Sequence, residues 1–249
     1  SIGGHKGLQI KVHSYAPAPY NVTVDDFKTY NNTTGVDVKH MGFDTGNSPT
    51  ARNVNLTNIS VIAPRDFTSE GNVTELANRC SRISSYENVK LVNIYVSDDT
   101  VDKADDFLAS STTRAEGMVR VMEGASNVLV KNLNIVGFAA TSEGFWSSSS
   151  TKGPIVIDGF SSTDGPDKAF RITGAGSTGS ISNYMISGSQ SSGEGIDVEG
   201  TEFEVGSGVV TGYGTSIVRA ANHGYLGLER PAFLSLIHIS EPTRRALIS

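Results

Sequence analysis

The chain has 249 residues, 37% of them apolar and 18% charged, with 27 Gly and a formal net charge of −6; this is long enough for a real core and suits a single domain. The acidic balance argues against bulk capture of nucleic acid or of an anionic membrane, since either needs Lys and Arg in excess on one face. Apolar residues come in short runs broken by Ser, Asn or Asp, so nothing approaches the roughly 18 apolar residues of a membrane helix, and the lone Cys80 excludes an intrachain disulfide framework and a Cys-based zinc site.

The chain opens at Ser1 with no Met and no signal-type segment, which reads as a mature product or a fragment. The first predicted element is a strand over Leu8-Gln9-Ile10-Lys11-Val12. From there a nine-residue frame recurs: polar, Val, any, Val or Leu, any, Asn, Leu or Ile, any, Val or Ile. Its clearest copies run from Asn53 to Val61, from Asn88 to Val96 and from Asn127 to Ile135. Weaker copies begin at Asn21, Pro154, Thr178 and Glu202, so the starts lie 32, 35, 39, 27, 24 and 24 residues apart.

Alternation of period two within each copy predicts β-strands with one face buried, and the central Asn marks a bend at which its amide can bond. Stacked copy on copy, Asn58, Asn93, Asn132 and Asn183 fall in register as an amide ladder, with Asn58 assigned inward. A period of this length built only from short strands and Gly/Ser/Asn turns is what a parallel β-solenoid requires, because one coil cannot bury its own apolar side. Leucine-rich and ankyrin repeats need a helical half, and a β-sandwich would not return Asn to the same offset.

On these residues the chain, from about residue 7 to 228, resembles the right-handed parallel β-helix, or pectin lyase-like, superfamily. The implied fold class is an all-β, right-handed, single-stranded parallel β-helix of about seven to eight coils, truncated at one or both ends. The superfamily holds polysaccharide lyases, hydrolases, epimerases, tailspikes and adhesins, so the resemblance implies a fold and leaves the activity open.

A second short strand is predicted in most coils: Gly42-Phe43-Asp44-Thr45, Val119-Arg120-Val121, Gly144-Phe145-Trp146, Phe170-Arg171-Ile172 and Gly195 to Glu199. With Val119, Phe145, Phe170 and Ile196 inward, their successors face out and form a column Arg120, Trp146, Arg171, Asp197 at spacings of 26, 25 and 26. At about 4.8 Å per coil the column spans roughly 14 Å, the length of a few sugar rings. Lys11 and Asp44 are expected to extend it at one end and Arg219 at the other, while the register near Arg79, Cys80 and Arg82 is ambiguous. As a saccharide groove, it would use Trp146 as a ring face, Arg120 and Arg171 to hold carboxylate or sulfate, and Asp197 with Glu199 as acid or base. The competing reading is a mixed-charge sheet face in which Arg171 and Asp197 simply pair.

Local motifs divide. Phe43-Asp44-Thr45-Gly46 looks like an aspartic protease signature but has no second copy. Ser97-Asp98-Asp99-Thr100, Asn32-Thr33-Thr34-Gly35 and Asn222-His223-Gly224 faintly resemble polygalacturonase-type groups, yet differ in order and content. Lys168-Ala169-Phe170-Arg171-Ile172-Thr173-Gly174-Ala175-Gly176, with Asn183-Tyr184, is similar to a segment of β-helical lyases of the alginate lyase and chondroitinase B type. That resemblance implies elimination on a uronate, with Arg171 quenching the carboxylate, Lys168 as a substitute for the family's Lys, whose Lys-Ser motif is absent, and calcium as a candidate cofactor; with the column residues Arg120, Trp146 and Asp44, Lys168 makes up the expected substrate-binding set. Asp98, Asp99, Asp102, Asp105 and Asp106 offer oxygen ligands of the kind calcium takes, although a solvated insertion loop explains them more simply. No His or Cys spacing defines a metal site.

After Pro231 the frame stops, and Ser235 to Arg244 looks like translated sequencing-adapter read-through. The expected organisation is therefore a β-helix domain over 1–233 and a non-native tail over 234–249, with a short amphipathic cap as the alternative. The functional expectation is an extracellular or cell-surface protein whose partner is an anionic polysaccharide, without nucleic acid or membrane insertion, most simply a lyase with Arg171, Asp197 and Glu199 as catalytic residues. The alternative is a non-catalytic adhesin or tailspike-like solenoid.

Overall fold

The computed structural model describes residues 6–12, 20–30, 32, 34–40, 51–62, 79–84, 86–97, 118–122, 124–138, 143–147, 151–174, 177–188, 193–221 and 225–228. These residues contain no helix and seventeen strands. The early strands are β1 (Lys6–Val12), β2 (Tyr20–Tyr30), β3 (Thr34–His40), β4 (Ala51–Ile62), β5 (Arg79–Ser84), β6 (Tyr86–Ser97), β7 (Val119–Met122) and β8 (Ser126–Val136). The later ones are β9 (Glu143–Ser147), β10 (Ile155–Gly165), β11 (Lys168–Thr173), β12 (Gly179–Gly188), β13 (Glu194–Glu199), β14 (Glu202–Val205), β15 (Gly208–Thr211), β16 (Ser216–Ala221) and β17 (Tyr225–Leu228).

The chain alternates between two sheets. One runs β1-β3-β5-β7-β9-β11-β13-β16; the other runs β2-β4-β6-β8-β10-β12-β14-β17, with β15 beside β12. The pairings are parallel, for example β4 with β6 and β11 with β13. This all-β, two-sheet parallel architecture is compatible with the β-helix that the repeat predicts. The three strong copies of the frame are β4, β6 and β8, with Val54, Val89 and Val128 aligned across them and Leu56, Leu91 and Val130 two residues on. All six are buried, as alternation requires.

Alternate residues of both sheets form one hydrophobic cluster. Its centre in the later strands is aromatic. The Phe145 and Phe170 rings stack at 5.1 Å and 10°, Phe160 meets Phe170 edge-on at 5.7 Å, and Phe203 lies at 5.7 Å on a tilt. Such pairs add about 0.5–1.5 kcal/mol each beyond their buried area.

The amide ladder exists, with two corrections and one addition. Asn132 Nδ2 donates to Asn93 Oδ1 at 3.0 Å, Asn93 to Asn58 at 2.9 Å, and Asn58 to Asp25 Oδ1 at 2.9 Å. The expected fourth rung departs from this line: Asn183 donates to Asp158 Oδ1 instead, because Gly159 occupies the position facing Asn132. A Cβ there would lie 2.7 Å from Asn132 Oδ1, and its φ is +81°. Asn58 is exposed, contrary to its inward assignment. The reason is backbone shape: Asn58, Asn93 and Asn132 have φ of 54°, 55° and 54°, so each is a left-handed kink that drops out of the strand pairing and swings its side chain outward. The sequence reading missed a second ladder at the start of the frame, in which Asn127 donates to Asn88, Asn88 to Asn53 and Asn53 to Asn21 at 2.6, 3.1 and 2.9 Å. These four Asn share the same left-handed backbone.

Replacing Asn93 by Ala removes a donor and an acceptor and puts a Cβ residue without polar compensation at positive φ, so a loss of about 1–2 kcal/mol is expected in urea unfolding. Asn93→Gly, which accepts the backbone, should lose less than Asn93→Ala. Truncation of Phe170 to Ala, which removes the ring shared by all three aromatic contacts, should cost about 3–5 kcal/mol.

Candidate functional site

Parallel pairing brings the predicted column together. Arg120 is the register partner of Trp146, Trp146 of Arg171, Arg171 of Asp197, and Asp197 of Arg219. In the other direction the line passes from Arg120 to Arg82, Asp37 and Gln9. Arg82 thus settles the register that the sequence leaves ambiguous. Lys11 pairs with Lys39 and lies two residues along the strand from the column, while Asp44 falls outside the described residues; so does the acidic run from Asp98 to Asp106. Among the described residues the register position beside Arg82 is held by Asp37 on β3.

The column was expected to face solvent; in the structure much of it is buried. Asp197 is 0% and Arg120 5% exposed. Burying a carboxylate of this kind requires compensating cations, and three supply it. Lys168 Nζ lies 2.7 Å from Asp197 Oδ2, Arg171 Nε 3.4 Å from the same oxygen, and Arg219 Nη1 3.4 Å from Oδ1. Arg171 also reaches Glu143 at 2.8 Å and Glu199 at 3.3 Å, tying β11 to the strands on either side. Lys168 and Arg219 meet Glu194 at 3.0 and 3.4 Å.

Two members of this network, Glu143 and Glu194, were absent from the sequence reading. They are register partners of Lys168 on its two sides. The signal was present: Glu143, Lys168 and Glu194 are spaced 25 and 26 residues apart, the same intervals as the neighbouring column.

Trp146 is half-buried. The Arg120 guanidinium carbon lies 4.4 Å from its ring centroid, and its Nε1 donates to Thr173 Oγ1 at 3.2 Å. One indole face therefore carries a cation–π contact. Beside it, buried Ser147, Thr151 and Ser177 share hydroxyl hydrogen bonds, with Ser147 Oγ donating to Ser177 Oγ at 2.9 Å. Among the described residues no group of three or more His, Cys, Asp or Glu is arranged to hold a metal ion.

The electrostatics follow from burial and pairing. Burial pushes the Glu143 carboxyl above its ordinary range, and the hydrogen bond and charge of Arg171, with the charges of Lys168 and Arg120, only partly oppose it. Burial acts against the Lys168 ammonium, but hydrogen bonds to Asp197 and Glu194 outweigh it and the pKa rises. The same balance holds for Arg171, where burial is outweighed chiefly by Glu143. Chemically, the arrangement is a neutralised ion network: each acid proposed for catalysis has a cation against it, and the Arg171 guanidinium is shared among three carboxylates.

Asp197→Ala leaves three cations around a buried gap and should destabilise by about 3–5 kcal/mol in chemical denaturation. Glu199→Gln, at the more exposed edge, should cost under about 1 kcal/mol. Because the folded pKa of Glu143 is raised, its contribution to stability is fullest below the ordinary Glu range and is lost as pH rises through the folded value. Denaturation across that window should therefore show Glu143→Gln gaining on the natural protein as pH increases.

No family model matches the chain, and no curated protein does. Two solved structures are similar. The N-terminal fragment of bacteriophage phi29 gene product 12 is 18% identical with a TM-score of 0.59, over 88% of this chain and 35% of that one. The pre-mature form of bacteriophage phi29 gene product 12 is 16% identical with a TM-score of 0.47, over 87% and 27%. The chain thus spans about a third of the length of the first of these, and the likeness is one of fold.

Proposed function

We propose that this chain is part of a right-handed, single-stranded parallel β-helix of seven to eight coils, and that it serves as a non-catalytic surface solenoid of the adhesin or tailspike-like kind, extracellular or cell-surface in location. The alternating strand order and the eight strands of one sheet support the coil count. The observation that carries the functional reading is the self-neutralised column. An eliminating Arg must turn its guanidinium to a substrate carboxylate, whereas Arg171 is held by Glu143, Asp197 and Glu199. Buried Asp197, with three cations around it, acts as a fastener between strands. The likeness in fold to a bacteriophage gene product, of which this chain covers 35%, is in keeping with a solenoid.

The lyase reading on an anionic polysaccharide retains one specific support: Lys168 and Arg171 gather cationic charge on one strand next to Glu143, whose carboxyl holds its proton more firmly than usual. One assay separates the two. Incubation with alginate, pectate and chondroitin is expected to give neither the ultraviolet absorbance of an unsaturated uronate nor new reducing ends. An absorbance rise that disappears in a folded Arg171→Lys variant would overturn the non-catalytic reading and establish elimination.

A further inference from the structure

The outer face of the sheet that runs through β8 and β10 carries its own complement. Val128, Val130, Ile155 and Ile157 are buried, so alternation turns Leu129 and Lys131 on β8, and Val156 and Asp158 on β10, outward. Val156 is 39% exposed, one of three large apolar side chains left open among the described residues. Leu129 is its register partner, and Lys131 is that of Asp158, so an apolar pair lies beside a pair of opposite charge. Among the described residues these two charges form no ion pair; Asp158 Oδ1 accepts the Asn183 amide instead.

We propose that this face is the contact between two copies of the chain, related by a two-fold axis that lies along the strands midway between β8 and β10. Such an axis keeps the strand direction and reverses the strand order, so each residue of β8 faces its own register partner on β10 of the second copy. Leu129 then packs on Val156 of the second copy and Lys131 meets Asp158, and symmetry makes each contact twice. Along these two columns no like charges are opposed. β6 faces β12, which sets Lys90 against Ser180, and β4 faces β14, which sets Asn55 against Glu204. At the margin of the face Asn132 is level with Gly159, which has no side chain to collide with it. The central charges balance, one Lys to one Asp, which suits a copy of the same face and not a polyanion. A face this narrow buries less than the roughly 800 Å² per partner of a standard interface, so a dissociation constant on the order of 10–100 μM is expected. The inference is independent of whether the chain is catalytic.

Sedimentation equilibrium over a concentration series tests it. The natural chain should pass from monomer to dimer across about 10–100 μM. Lys131→Glu and Asp158→Lys each set like charges against each other at two places in the pair, so either variant alone should stay monomeric over that range. Mixed in equal amounts, the two variants should dimerise again, because each presents the charge that the other lacks. Val156→Ser, which leaves both charges in place, should weaken the dimer at least roughly threefold. Far-ultraviolet circular dichroism matching that of the natural chain shows that the variants are folded. A natural chain that stays monomeric up to about 200 μM overturns the proposal, whatever else that face takes up. So does a dimer that both charge variants and Val156→Ser leave intact, an assembly larger than two, or a mixture of the charge variants that remains monomeric.

Discussion

Parallel pairing at about 4.8 Å places every side chain against the side chain one repeat away, so each position must tolerate whatever stands at the same place in the next strand. Three kinds of residue meet that condition here. Aliphatic residues and phenylalanines stack on their own kind, as Phe145 does on Phe170. Asparagine carries both a donor and an acceptor and can therefore bond to a copy of itself indefinitely. Around buried Asp197 charges alternate instead: Glu143, Lys168 and Glu194 change sign along one line, and Arg171, Asp197 and Arg219 along the next.

The same constraint explains what was legible in the sequence. A frame returning Val, Leu and Asn at constant offsets predicts both the strands and their mutual register, and β4, β6 and β8 follow it residue for residue. The juxtaposition of Arg120, Trp146, Arg171 and Asp197 followed from spacing alone. Burial did not. Alternation says which face of a sheet a residue takes, but it does not say whether that face is covered, and Asp197 and Arg120 lie on a covered one. Glu143 and Glu194 open β9 and β13 one residue before the Gly144 and Gly195 at which the Gly-led pattern begins, so that pattern does not include them. Repeats of differing length make the phase of the early strands hard to read from sequence, and there Asp37 holds the register position beside Arg82.

The outward turn of the ladder asparagines was likewise hidden. A central Asn within an apolar frame suggests an interior amide, yet the left-handed backbone at Asn58, Asn93 and Asn132 breaks the alternation and redirects the side chain. The kink and the ladder support each other: the conformation that asparagine tolerates better than other side-chain-bearing residues is also the one that aligns its amide with the next.

The ladders have a direction. In every rung the Nδ2 group points toward the earlier strand and the Oδ1 toward the later one. Amide dipoles aligned head to tail sum along the molecular axis in the way peptide dipoles do along a helix. The positive pole of the row through Asn58, Asn93 and Asn132 lies at its first strand, and the group found there is the side chain of Asp25. A stacked β architecture thus acquires a polar axis with an anionic cap, the counterpart of an acidic residue at the start of a helix.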